Sequence, residues 1–164
     1  MFEAACPACG APINFRSHAS VVAVCEYCKS TVAKQGDVLE DLGKKSQVLE
    51  DYSPVQIGSS GTFEGLGFTV IGRIQVKYED GFWNEWHLFF ADNTTGWLGE
   101  ASGQFTITRA KAANNLPAFE TLNPGEGLSI LDRFFLVSDV RSAQASGLEG
   151  ELPVSAKGAW QVRA

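Results

Sequence analysis

A chain of 164 residues with a 45% hydrophobic fraction and a formal net charge of −6 suits one small module plus one domain of ordinary size, which excludes wholesale disorder. The acidic balance shows no sign of the basic face through which nucleic-acid binders release counterions, so nucleic acid is an unfavoured partner. No apolar stretch approaches the length of a membrane-crossing helix, and the reading is of a soluble chain without a transmembrane segment.

All four cysteines fall at the start, as Cys6-Pro7-Ala8-Cys9 and Cys25-Glu26-Tyr27-Cys28, with fifteen residues between the pairs. Two matched Cys-x-x-Cys pairs at this spacing are the pattern of a zinc ribbon, in which thiolates on two facing turns close a tetrahedral shell around one structural zinc. Gly10 follows the first pair, where the chain must often pass through positive φ. A disulfide scaffold would need an oxidising compartment, and Met1–Ala5 carries Glu3 without the basic start or apolar run of a secretory leader. A thioredoxin-type site would use one Cys-x-x-Cys rather than two. Four thiolates leave no open position for a catalytic water, and His18, between the pairs, reads as a solvent-facing loop residue. Reduced cysteines place the chain in the cytoplasm. Residues 1–36 form the ribbon, with short strands around Pro12–Arg16 and Val21–Val24 expected to pair as a hairpin. Arg16, Lys29 and Lys34 against Glu3 and Glu26 leave it close to neutral.

Residues 37–52 read as a short helical connector. Val38, Leu42 and Leu49 recur at roughly helical spacing, and Asp37 with Glu40 resembles a capping box. Gly43 counts against an unbroken helix, and a polar linker is the alternative. From residue 53 to 164 short β-branched and aromatic runs are punctuated by glycines, the pattern of a small antiparallel β-barrel or sandwich. The chain ends inside a strand-like run, so either the final strand is terminal or the domain continues in a longer protein. The fold class is thus mainly β: ribbon, short helix, β domain.

Within the β domain, a three-residue loop Glu79-Asp80-Gly81 pairs Ile74 with Trp86, Gly72 with Leu88 and Val70 with Phe90, keeping one sheet face apolar. It pairs Arg73 with His87 and Gln75 with Glu85 on the other face. A further turn at Asp92-Asn93 then brings Leu88 opposite Trp97 and Glu100 opposite Glu85. Arg73, Gln75, Trp83, Glu85, His87 and Glu100 therefore form one candidate ligand or partner face. Opposed carboxylates there would favour a cationic or hydrogen-bond-donating partner, while an ordinary solvated or covered sheet face is the plainer reading.

The runs Gly72-Arg73-Ile74-Gln75, Trp83-Asn84-Glu85-Trp86 and Gly96-Trp97-Leu98 with Glu100 resemble a bacterial family catalogued as the domain of unknown function number 4178. Gly150-Glu151-Leu152-Pro153 and Ser53-Pro54 are similar to its later signature and its start, and members often carry an N-terminal Cys-Pro-x-Cys-Gly ribbon. The resemblance implies no reaction and no catalytic residues. It implies a cytoplasmic component of an envelope-associated system, near small membrane proteins and polyamine-related enzymes. The leading reading is a non-catalytic binding or adaptor module with a protein partner. A nucleic-acid-binding ribbon is one alternative; an enzyme or small-cation (polyamine) binder using Glu85, His87 and Glu100 is another.

Overall fold

The computed structural model describes residues 2–43, 48–114 and 116–154, and the backbone of a strand at 161–163. Fourteen strands dominate it. The cysteine module supplies β1 (Phe2–Ala5), β2 (Pro12–Phe15), β3 (Val22–Val24), β4 (Thr31–Gln35) and β5 (Val38–Asp41). Then come β6 (Ser60–Phe63), β7 (Leu66–Tyr78), β8 (Gly81–Phe90), β9 (Thr95–Ala101) and β10 (Gln104–Arg109). The last are β11 (Gly127–Ile130), β12 (Arg133–Leu136), β13 (Ser142–Leu152) and β14 (Gln161–Arg163). Between β10 and β11 the chain makes a single 3₁₀ turn, Phe119–Thr121.

One antiparallel sheet runs β10-β9-β8-β7-β13-β3-β4-β5, with β6 added beside β7 and β14 beside β13. It stays open, so the mainly β expectation holds but the barrel closure does not. β11 and β12 form a separate hairpin.

The cysteine module differs from expectation in its pairing. β2 pairs with β1, and β3 pairs with β4 and β13, rather than β2 with β3. The helical connector is also corrected, as far as the described residues reach, since 44–47 lie outside them. Residues 38–41 are strand β5, joined to β4 by the two-residue loop Gly36-Asp37. Gly36 has φ 60 in the first loop position, which a tight hairpin turn of this kind requires. The apolar spacing that suggested a helix is unused: Val38 and Leu49 face solvent, while Leu39 enters the core made by Cys6, Ile13, Phe15, Ala23, Cys25 and Val32.

The β7–β8 register also differs. The loop is two residues, with Tyr78 opposite Gly81, so Arg73 faces Trp86, Ile74 faces Glu85 and Gln75 faces Asn84. A bulge between Val70 and Gly72 then shifts the pairing to Val70↔Leu88 and Phe68↔Phe90. An extra residue exchanges the faces of a strand beyond it. Each face of β7 is therefore apolar over part of its length, and a search for one wholly apolar face selects the wrong loop. Val70, Trp86, Leu88, Phe90 and Leu98 form one core cluster, with Val55 and Ile57 packed on it. Ile74, Val76, Ala143, Leu148 and Leu152 form a second.

β13 joins the two halves. Residues 144–150 pair with β7, then Glu151 and Leu152 pair with Ala23 and Val22 of β3. A Cβ on Gly72 would lie 2.0 Å from the Glu151 carbonyl oxygen, so only glycine lets β13 pass at that point.

Candidate metal centre and polar face

Two similar turns present the cysteines. In the first, the Gly10 N–H donates to the Cys6 carbonyl at 2.8 Å and the Cys6 N–H to the Ala11 carbonyl at 2.7 Å. In the second, the Lys29 N–H donates to Cys25 and the Cys25 N–H to Ser30, both at 2.9 Å. Gly10 (φ 77) and Lys29 (φ 60) occupy the equivalent left-handed position. The four sulfurs lie within 4.8 Å of one another, with Cys6–Cys28 and Cys9–Cys25 each at 3.7 Å. Zinc–sulfur bonds of about 2.3 Å would place the sulfurs of a tetrahedron about 3.8 Å apart, so the set fits a four-thiolate ion. His18 is exposed and outside the group.

The electrostatics also favour a cation. The Ser30 hydroxyl and N–H hold Cys28 down at about 6. The Ala11 N–H lowers Cys9, but desolvation and its three sulfur neighbours outweigh that and push it up to about 12. Sulfurs this close cannot all ionise without a compensating positive charge.

The sequence-predicted partner face divides between the two sides of the sheet. Asn84 faces Glu100 across β8–β9, whereas Glu85 faces Gly99 and His87 faces Trp97. Arg73, Gln75 and Glu100 therefore share one side with Asn84 and Trp86, while Trp83, Glu85 and His87 lie on the other. The expected joint site of Glu85, His87 and Glu100 is not formed, because the register differs from the one that opposed the two carboxylates.

The Arg73 side is covered by residues 48–57 of the same chain. Gln75 Oε1 accepts the Leu49 N–H at 2.9 Å, and its Nε2 donates to the Leu49 carbonyl at 3.0 Å. Arg73 Nη2 pairs with Asp51, and Asn84 Nδ2 donates to the same oxygen at 2.6 Å. Arg73 is further fixed by Asn84 Oδ1 at 3.0 Å and by the Trp86 ring, 4.6 Å away. Glu100 Oε2 accepts from Ser53 Oγ at 2.7 Å, Trp86 Nε1 at 2.8 Å and Asn84 Nδ2 at 3.1 Å. Burial pushes the Asp51 carboxyl up, but the Asn84 hydrogen bond and the Arg73 charge outweigh it and hold it below the usual range. Sequence reasoning missed Asp51, Ser53, Asn84 and Trp86 as polar partners. The available signal is Asn84 two residues before Trp86, a polar residue on the same strand face as a core tryptophan.

On the opposite side His87 is fully buried. Its Nδ1 lies 2.9 Å from the Glu151 carbonyl oxygen, its ring centroid 5.1 Å from that of Trp97, and Nε2 has no partner among the described residues. Burial depresses its basicity, with the Glu151 carbonyl pulling partly back. Glu85 accepts the Trp83 indole N–H at 2.8 Å and borders a cleft of about 420 Å³ lined by Tyr78, Trp83, Gln104, Asp139 and Arg141. Burial raises its carboxyl above the usual value, against the Trp83 hydrogen bond.

The His87 shift has a sign that can be checked. The unfolded chain takes up this proton near pH 6.5 and the folded chain only at lower pH, so stability is complete above 6.5 and falls as pH drops below it. Glu85 and Glu151, both raised chiefly by burial, act in the opposite direction. His87→Asn is expected to flatten the decline in urea midpoint between pH 7 and pH 5; an unchanged slope would show that His87 is not its source.

No curated protein and no solved structure matches this chain. The family model described as "Domain of unknown function (DUF4178)" matches residues 56–163, leaving the cysteine module outside the match. That span covers β6 to β14 and every sheet residue of the polar face, and the chain accordingly belongs to the DUF4178 family.

Proposed function

We propose that this chain is a non-catalytic binding or adaptor module for a protein partner in the cytoplasm. In this reading one zinc ion on Cys6, Cys9, Cys25 and Cys28 is structural, and the DUF4178 domain supplies the binding surface. Zinc in a closed four-thiolate shell contributes folding energy rather than an activated water. The observation that carries the reading is the engagement of the polar face. Arg73, Gln75, Asn84 and Glu100 all hold groups of residues 49–53, which is the work of recognising a peptide segment. An envelope-associated setting is proposed from the family resemblance alone.

A ribbon that read nucleic acid would depend on Arg16, Lys29 and Lys34. The half-exposed Arg16 side chain has its Nε 3.9 Å from the Glu151 carboxylate, and Lys34 Nζ sits 4.4 Å from the centroid of the Phe2 ring. Both cations thus already face groups of the chain itself. At physiological salt, binding to single- or double-stranded nucleic acid is expected to be no tighter than high micromolar by fluorescence anisotropy. A sub-micromolar affinity that falls steeply with salt and disappears in Arg16→Ala/Lys29→Ala would replace the adaptor reading with nucleic-acid recognition.

A further inference from the structure

The side chains beneath residues 49–53, a segment bent at Tyr52 (φ 56), read features that a peptide of suitable sequence could present. Gln75 reads backbone, exchanging two hydrogen bonds with the N–H and carbonyl of Leu49, as a strand does with its neighbour. Arg73 and Asn84 converge on the Asp51 carboxylate, and Glu100 takes the Ser53 hydroxyl. The apolar side chains of the segment contribute little to the contact: Leu49 is 59% exposed and Tyr52 97% exposed. The held segment is therefore retained chiefly by polar recognition of a backbone, an aspartate and a serine.

Receptor and occupant also fall on different sides of the family boundary. Arg73, Gln75, Asn84 and Glu100 lie within the matched residues 56–163, whereas residues 49–53 precede them. The recognising face lies inside the family match, and its occupant lies just before the first matched residue. We propose that this face is a groove for an x-x-Asp-x-Ser peptide of a protein partner, bent at its fourth residue as the chain is at Tyr52 (φ 56), and that residues 49–53 fill it in cis as an intramolecular competitor. The proposal rests on the binding-module reading and gives that module's partner a chemistry. Tethering gives the cis segment a local concentration of order millimolar, so a free peptide meets an occupied site in the wild-type chain.

The test uses the full zinc-loaded chain and a fluorescein-labelled peptide with the sequence of residues 48–55. Asp51→Asn/Ser53→Ala weakens the cis segment while leaving a near-isosteric partner beside Arg73. Peptide binding by anisotropy is expected to be at least tenfold tighter to this variant than to wild type. A peptide carrying the same two substitutions should lose that gain. Absence of binding to the folded variant, or equal binding of both peptides, would overturn the proposal. Hydrogen exchange on the wild-type chain is a second measurement that needs no variant. A segment that leaves its groove should exchange the Leu49 amide at least a hundredfold faster than the amides in the middle of β7. Equal rates would mean that residues 49–53 leave only when the domain unfolds, which would also overturn it. Either failure leaves the nucleic-acid and zinc measurements unaffected, so the groove can fail while the binding module stands.

Discussion

Removing the metal with a chelator, or replacing Cys25 with Ser, is expected to unfold β1–β5 and to weaken the DUF4178 domain with them. Cys6 and Cys25 are core residues of the small module as well as candidate ligands, and a segment this short buries too little surface to fold unaided. Structural zinc contributes about 10–16 kcal/mol in zinc-finger peptides, against about 5–15 kcal/mol for the whole stability of a typical domain. The effect should spread because β13 is shared. The Val21 N–H donates to the Leu152 carbonyl at 2.9 Å, and Glu151 Oε2 accepts the N–H groups of Arg16 at 2.7 Å and Ser17 at 3.3 Å. Losing the module would uncover Leu152 and leave Glu151 without these donors. Urea unfolding followed by tryptophan fluorescence should show a lower midpoint for the apo chain, since every tryptophan lies outside the cysteine module. An unchanged midpoint would mean that the two parts are energetically independent.

The second large effect is expected at Trp86. Trp86→Ala should cost about 3–5 kcal/mol, the usual consequence of emptying a large aromatic site. Trp86 is among the largest fully buried side chains, and its indole N–H is one of three donors to Glu100 Oε2. Its ring also lies against the buried Arg73 guanidinium. Trp83, three residues away on the other side of the sheet, is only partly buried, and Trp83→Ala should cost clearly less. Equilibrium unfolding of the two variants checks the order; a larger loss at Trp83 would contradict the placement of the core.

The parts of this molecule that were legible in the sequence are those dictated locally. The Cys-x-x-Cys spacing is read from each turn's own geometry, and the four sulfurs do come together. The turn at Asp92-Asn93 is present, with Asn93 at φ 64. The overall β character follows from residue types alone. What escaped depends on partners distant in the chain. The two-residue loop puts the polar residues of β7 on the same side as Trp86, the bulge beside Ile71 then brings Val70 and Phe68 to that side, and no alternation rule marks where a strand will change faces. Residues 38–41 have a spacing compatible with a helix, yet Leu39 completes a core built by β2, β3 and β4. Asp51 looked like a connector residue and Ser53 like the mere start of the β domain, because Arg73 and Glu100, their partners, are 22 and 47 positions away. The family resemblance did identify the right residues, since Trp83-Asn84-Glu85-Trp86 contains two members of the polar network. It did not reveal that the network closes on the chain's own residues 49–53.

The claim that the cysteines form a metal centre integrated with the sheet is tested most directly by native mass spectrometry of the freshly reduced chain, with elemental analysis of the same sample. One zinc per chain is expected, lost on replacing Cys6, Cys9, Cys25 or Cys28 with Ser and unaffected by His18→Ala. A reduced, folded chain carrying no metal, or one with two disulfides in place of four thiolates, would contradict it.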